Sequence, residues 1–434
     1  MNAVFFAIVL VSFLVAAFRQ ITFTPPTPDA EQPMQVLAAG MIDTAGSSVT
    51  LAISLIGVMT LFLGLMKVAE GGGLLVIIAR LLRPLMVRLF PDVPAEHPAM
   101  GAMIMNFSAN VMGLGNAATP FGIRAMQALD SLNRHKGTAT NAMVLFLAIN
   151  TSSVTLLPTG VIALRAATGS TDPAAILPTT LFATLCSTAV AIASAKLLQR
   201  WFPITEIAAA TPADERAAAS SETPDKPTPI EQVEGAYPTW VSLLALAAVI
   251  ALIPLTIFYG RAVSPWIVPG LMVGLLGFGV LRGVRVYEAF VDGAKDGFQV
   301  AVRIIPYLVA ILVAVGMFRA SGAMELLIEP LGSLTRLVGL PPEALPMALL
   351  RPLSGSGAYG ILASILSDPA TGPDTYVGYL VSTFQGSTET TFYVLAVYFG
   401  AVQIRRIRHA LAAGLTADLA GIVAAVFICV VLFA

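Results

Sequence analysis

The chain has 434 residues, of which 57% are hydrophobic and 11% charged, with a mean hydropathy of +0.84. Soluble domains sit near about 45–50% apolar and about 25% charged, so a soluble globular protein is excluded. The net charge of −1 carries no long run of Lys or Arg, and no nucleic-acid partner is expected.

A bilayer is crossed by about 20 apolar residues, and about nine such runs follow one another. They are Val4 to Ala17, Val49 to Met66, Ala142 to Leu164, Ile176 to Leu198, Trp240 to Tyr259, Trp266 to Leu281, Val300 to Phe318, Val377 to Val402 and Ala410 to Phe433. The first has no Lys or Arg before it and is read as a retained helix, not a cleaved leader. Residues 204–237 change composition to Ala, Pro, Ser, Thr and Glu, the pattern of a disordered linker. That linker separates a membrane half at 1–203 from a second at 238–434. The fold class expected is an all-α polytopic membrane protein.

The halves share short matches in the same order. Gly64-Leu-Met-Lys67 pairs with Gly316-Met-Phe-Arg319, and Asn150-Thr-Ser-Ser-Val-Thr155 pairs with Gln385-Gly-Ser-Thr-Glu-Thr390. Lys and Arg in short loops mark the cytoplasmic side. Placing Arg80, Arg83, Arg88, Arg134, Lys136, Lys196, Arg200, Arg282, Arg285, Lys295, Arg405, Arg406 and Arg408 inside makes the two halves inverted-topology repeats. The segment after Arg319, with Glu325, Glu329 and Arg336, then lies outside. Such repeats place a substrate site near the midplane, at broken or re-entrant helices.

Four segments carry polar residues at membrane depth, and irregular backbone there needs protein or a water-filled cavity to satisfy it. The first offers Asn106, Ser108, Asn110 and Asn116; the second Asn150, Ser152 and Ser153; the third Arg351, Ser354 and Ser356; the fourth Gln385, Ser387 and Thr388. These are the expected substrate-binding residues. Close helix packing through small and hydroxyl side chains is the competing reading. Glu389, the acid within these segments, stands opposite the neutral Val154 of the first half and is the candidate ion-coupling group. Arg351 either pairs with Glu389 or meets an anionic substrate. Lys67 and Arg319 read as interfacial anchors, and Asp418 stays open between an interfacial and a functional place.

His97, His135 and His409 are scattered, and Cys186 and Cys429 lie in apolar runs, so neither a metal site nor a disulfide framework is indicated. GLGNAATPFG lacks the Lys-Ser/Thr of a phosphate-binding loop. No cofactor and no enzymatic activity are expected. The partners expected are membrane lipid and an unknown small solute, with a second copy of the chain left open.

NFSANVMGLGNAATPFG, Asn106 to Gly122, is similar to the signature segment of spore maturation protein A. YEAFVDGAKDGF, RPLSGSGAYG and TFQGSTETTFYVLAVYFGAVQIRRIRHAL, from Tyr287 to Leu411, resemble spore maturation protein B. The chain thus resembles a fusion of the two families, joined at 204–237. Both halves resemble the group with a nucleoside recognition, or gate, domain, related to parts of concentrative nucleoside transporters and of ferrous iron transporter B. The resemblance implies a transporter-like, multi-pass protein of the bacterial plasma membrane. Iron is disfavoured, because Cys186 and Cys429 lie outside the polar motifs. A transporter of a small polar or amphipathic solute is the leading expectation, and a non-transporting scaffold or regulator of envelope processes is the alternative.

Overall fold

A computed structural model describes residues 2–24, 31–113, 115–203, 235–323, 326, 332 and 335–433, without the side chains of 2–4, 115–117, 252, 253, 255–265, 301, 303, 304, 307, 308 and 311. Residues 204–234 of the expected linker 204–237, Glu325, Glu329 and the side chain of Asn116 therefore lie outside the described residues. The described chain is mainly helical: α1 Asn2–Ile21, α2 Pro33–Gly71, α3 Leu74–Leu89, α4 Pro98–Val111, α5 Gly115–Ser131, α6 Asn141–Thr151, α7 Thr159–Ala167 and α8 Leu177–Leu198. These are followed by α9 Thr239–Leu281, α10 Val286–Ala320, α11 Leu345–Leu350, α12 Gly355–Ser367, α13 Tyr376–Ser387, α14 Thr391–Gly400 and α15 Ala410–Phe433. This is the all-α membrane protein that the composition requires. Among the described residues, Pro33–Gly71, Pro173–Leu198 and Ala410–Phe433 are long and apolar enough to cross a membrane by themselves.

Several expected spans have different limits. Val49 to Met66 and Val300 to Phe318 are the later parts of longer helices, because α2 has 39 residues and α10 has 35. At 1.5 Å per residue these run about 58 and 52 Å, beyond a hydrocarbon core of about 30 Å. They lie antiparallel, and glycines bring them together. A Cβ at Gly293 would stand 2.5 Å from the Leu63 carbonyl oxygen, and one at Gly297 would stand 2.7 Å from Thr60 Cα. Gly293 and Gly297 are one turn apart, the small-residue spacing that lets membrane helices touch backbone to backbone.

Trp240 to Tyr259 and Trp266 to Leu281 belong to one element, the 43-residue α9. Drawn straight it would separate its ends by about 65 Å. Yet the Tyr237 N–H donates to the Arg80 carbonyl at 3.3 Å, and Arg282 Nε donates to the Gly72 carbonyl at 3.1 Å, both at α3 or just before it. The element therefore turns back on itself, and the chain enters and leaves it on one side of the molecule.

The order of elements recurs. Hairpin α4–α5, broken helix α6–α7 and long helix α8 in the first half correspond to hairpin α11–α12, broken helix α13–α14 and long helix α15 in the second. The halves do not pack separately. One apolar core joins Phe90, Met103 and Phe146 to Leu395, Phe399 and Ala413; another joins Leu55 and Ile162 to Leu362, Phe384 and Ile428.

Candidate functional site at the crossing of two broken helices

The apolar run Ala142 to Leu164 is interrupted after Thr151, and Val377 to Val402 is interrupted after Ser387. The residues there explain why. Thr, Ser and Pro are poor helix formers, Pro158 lacks an N–H to continue the ladder, and Thr388 is extended with φ −138° and ψ 158°. Each break frees carbonyls at the end of its first half-helix, and buried carbonyls need donors.

Those donors come from across the molecule. The Thr151 carbonyl accepts the Glu389 N–H at 2.8 Å, so the two breaks meet. The Ser152 carbonyl accepts the Thr188 hydroxyl from α8. At the second break, Arg351 donates to the carbonyls of Gln385, at 3.2 Å, and Thr388, and to the Thr390 hydroxyl at 3.0 Å. Its Nη2 also stands 3.7 Å from the Glu389 carboxylate.

Each hairpin turn rests on the break of its own half. The Leu156 N–H donates to the Val111 carbonyl at 2.9 Å, and the Phe392 N–H donates to the Pro352 carbonyl at 3.2 Å. Gly113 has φ +77°, and a Cβ there would lie 2.0 Å from the Leu157 carbonyl oxygen. Only glycine supplies that backbone and that space.

The predicted residues divide into two groups. Asn110 Nδ2 donates to Asn150 Oδ1 at 3.0 Å, and the Tyr398 hydroxyl meets both Asn150 Oδ1 and Asn106 Nδ2 at 3.4 Å. Asn106 also donates to the Ala118 carbonyl at 2.8 Å, holding the α4–α5 turn closed. Arg351, Gln385, Thr388 and Glu389 form the second group, and the Glu389–Thr151 bond links the two. Ser108, Ser152 and Ser387 bond back to Ile104, Ala148 and Phe384 within their own helices, the packing role. Ser153 is buried at the break. Ser354 caps α12 by accepting the Gly357 N–H at 3.0 Å, and Ser356 is exposed. Arg351 is nearly fully buried and directs both Nη atoms at protein oxygens, whereas the Glu389 side chain is 53% exposed. Of the two charges, the carboxylate is the one open to a ligand.

Sequence reasoning passed over Arg165, which is fully buried on α7. It donates to the carbonyls of Pro173 at 3.3 Å, Asp172 at 3.3 Å and Pro373 at 2.5 Å, and pairs with Asp374 at 3.1 Å. Asp374 lies in the loop before α13. Partial burial disfavours its charge, but the Ser170 hydroxyl, the Thr171 N–H and hydroxyl and Arg165 together hold its pKa below the usual aspartate range. At the opposite end, Arg408 donates to the carbonyls of Phe202, at 2.9 Å from Nε, and Ala139, at 3.0 Å, and to Asn141 Oδ1 at 2.9 Å. An Arg from each half thus ties down the start of the other half's broken helix. The available signal was an arginine just past an apolar run, which reads as an ordinary span end. Arg319 and Lys67 fit the anchoring role, pairing with Asp368 at 2.6 Å and Glu70 at 3.1 Å.

A family model described as "Gate: Nucleoside recognition" matches residues 52–168 and 301–405, about half of the chain and both broken helices. Spore maturation protein B of Bacillus subtilis (strain 168) is 45% identical over 166 residues, 38% of this chain and 92% of the relative. Spore maturation protein A of the same organism is 46% identical over 158 residues, 36% of this chain and 79% of the relative. One polypeptide here combines relatives of both. No solved structure matches the chain.

Proposed function

Since this chain belongs to the gate, or nucleoside recognition, family, we propose that it is a multi-pass protein of the bacterial plasma membrane that carries a small polar or amphipathic solute past the crossing of its two broken helices. The observation that carries this reading is the meeting of the breaks at Glu389 and Thr151, with a hairpin turn on each. The recurrence of element order and the reciprocal Arg165 and Arg408 ties support two inverted-topology repeats. The half-helix α14 begins at this crossing, and its N-terminal end favours negative charge or hydrogen-bond acceptors on a solute. Glu389, half exposed beside Arg351, is the group through which a cation or proton couples to the movement.

The test is uptake by the full-length protein in proteoliposomes, using radiolabelled uridine and adenosine as probes under an imposed ion gradient. Accumulation of a probe, with gradient dependence lost in Glu389→Gln, supports the reading. No uptake of either probe, or unaltered gradient-driven uptake by a well-folded Glu389→Gln protein, overturns it. Single cysteines at Thr27 and Glu222 test the orientation: external reagent should label Thr27→Cys and spare Glu222→Cys in intact cells.

A further inference from the structure

Asp418 lies two turns into α15, is 2% exposed, and takes no part in the hydrogen bonds that join the breaks. Its Oδ2 accepts the Thr391 hydroxyl at 2.6 Å, whereas the buried Oδ1 has no hydrogen-bond partner among the described residues. A buried carboxylate is tolerated when paired or fully hydrogen-bonded, and one neutral donor does neither. The cation whose field reaches Asp418 is Arg351, and its Nη atoms are spent on Gln385, Thr388, Thr390 and Glu389. Arg351 Nε is itself buried without a partner among the described residues.

The face of α15 around Asp418 is cut away for the crossing. A Cβ at Gly414 would stand 2.8 Å from Thr391 Cγ2 and 3.7 Å from Thr151 Oγ1, and one at Gly421 would stand 2.7 Å from Thr388 Cγ2. Asp418 is thus set between two glycines that face the end of α6, the second break and the start of α14. Two of the hydroxyls nearby are committed: Thr151 donates to the Ala148 carbonyl at 2.8 Å and Ser187 to the Ala417 carbonyl at 2.8 Å.

From this geometry we infer that Asp418 is a proton-binding site at the helix crossing. The proton is carried on Oδ1, Asp418 passing from carboxylate to carboxylic acid as one O–H bond forms. Loss of that proton leaves an anion within the field of Arg351, and the arginine is then shared between Asp418 and Glu389. Proton release thereby loosens the contact that holds the second break. The other titratable groups on the surrounding elements are few. Lys196 ends α8, Cys186 packs in the apolar core, Tyr376 and Tyr379 lie at the start of α13, and Tyr393 and Tyr398 lie on α14. His409 precedes α15, and Cys429 lies three turns beyond Asp418. Arg351 and Glu389 remain the charges at the crossing.

The inference goes beyond solute movement and is tested without it. Infrared difference spectra of the full-length protein in lipid nanodiscs, taken from mildly acidic to alkaline pH, should contain a titrating carboxylic C=O band. The band should persist in Glu389→Gln and vanish in Asp418→Asn. A band unchanged in Asp418→Asn, or lost in Glu389→Gln, overturns the assignment. If Asp418→Asn does not fold, Asp418→Glu should shift the band, and an unshifted band overturns it equally. Loss of the band on replacing choline chloride by sodium chloride at fixed pH would give the site to a metal cation instead and overturn the proton. Absence of uptake in proteoliposomes would leave these spectra unaffected, so the two readings fail separately.

Discussion

The Glu389 N–H donates to the Thr151 carbonyl at 2.8 Å, and this bond joins two helix breaks that lie more than 200 residues apart in the chain. It solves the same problem for both halves. Thr151 closes α6 with a carbonyl that has no partner in its own helix, and Glu389 stands in an extended stretch where its N–H has no helical partner. Each break is the other's hydrogen-bond partner, so neither half completes its membrane core alone.

Arg351 should be essential to the second break. In Arg351→Gln the Gln385 and Thr388 carbonyls lose their shared donor, at about 1–3 kcal/mol for each buried group left unpaired. Thr390→Val removes one hydroxyl contact and should cost less. Apparent melting temperatures in detergent should rank wild type above Thr390→Val above Arg351→Gln, and the reverse order of the variants would contradict the capping role.

The Arg165 tie should behave as a buried charge with one replaceable partner. Arg165→Gln leaves Asp374 without its cation and several carbonyls without a donor, a loss of about 3–5 kcal/mol for a broken buried pair. Asp374→Asn should cost much less, because Asp374 is partly open to water and Arg165 keeps its carbonyl partners. Equal destabilisation of the two variants would refute this account.

Asp374 also sets a pH dependence. Its folded-state pKa lies below the unfolded value of about 3.9. The stabilisation is therefore complete above the unfolded value and disappears as pH falls through the folded one. Thermal scans of wild type and Asp374→Asn should differ at neutral pH and converge at acidic pH below about 4. A gap that widens on acidification would show the sign to be wrong.

Glycine tolerance should follow contact, not position within a helix. Gly297→Ala puts a Cβ 2.7 Å from Thr60 Cα and should destabilise the α2–α10 pair by about 1–3 kcal/mol. At Gly277 nothing lies within 4 Å, so Gly277→Ala should be neutral or slightly stabilising through helix propensity. Monodispersity on size-exclusion chromatography after heating distinguishes the two.

Sequence alone determined the membrane class, the polar segments, and the pairing of Asn150 to Thr155 with Gln385 to Thr390. Hydropathy is a sum over neighbouring residues, and helix breaking by Ser, Thr, Pro and Gly is local chemistry. Those properties need no knowledge of what the segment touches. The partners of the freed backbone groups were beyond it, because they come from distant parts of the chain. Thr151 finds Glu389 and Arg165 finds Asp374 only after the two broken helices have met, and Gln385 finds Arg351 only after the second hairpin has packed on its own break. Arg351 reads as a ligand for an anion until its Nη atoms are seen on the Thr390 hydroxyl and the Gln385 and Thr388 carbonyls. Asp418 stayed open because depth along a helix does not say which face is buried. The lengths of α2 and α10 likewise lay beyond it: a hydropathy window ends where charge begins, whereas these two helices continue past their apolar runs along one another.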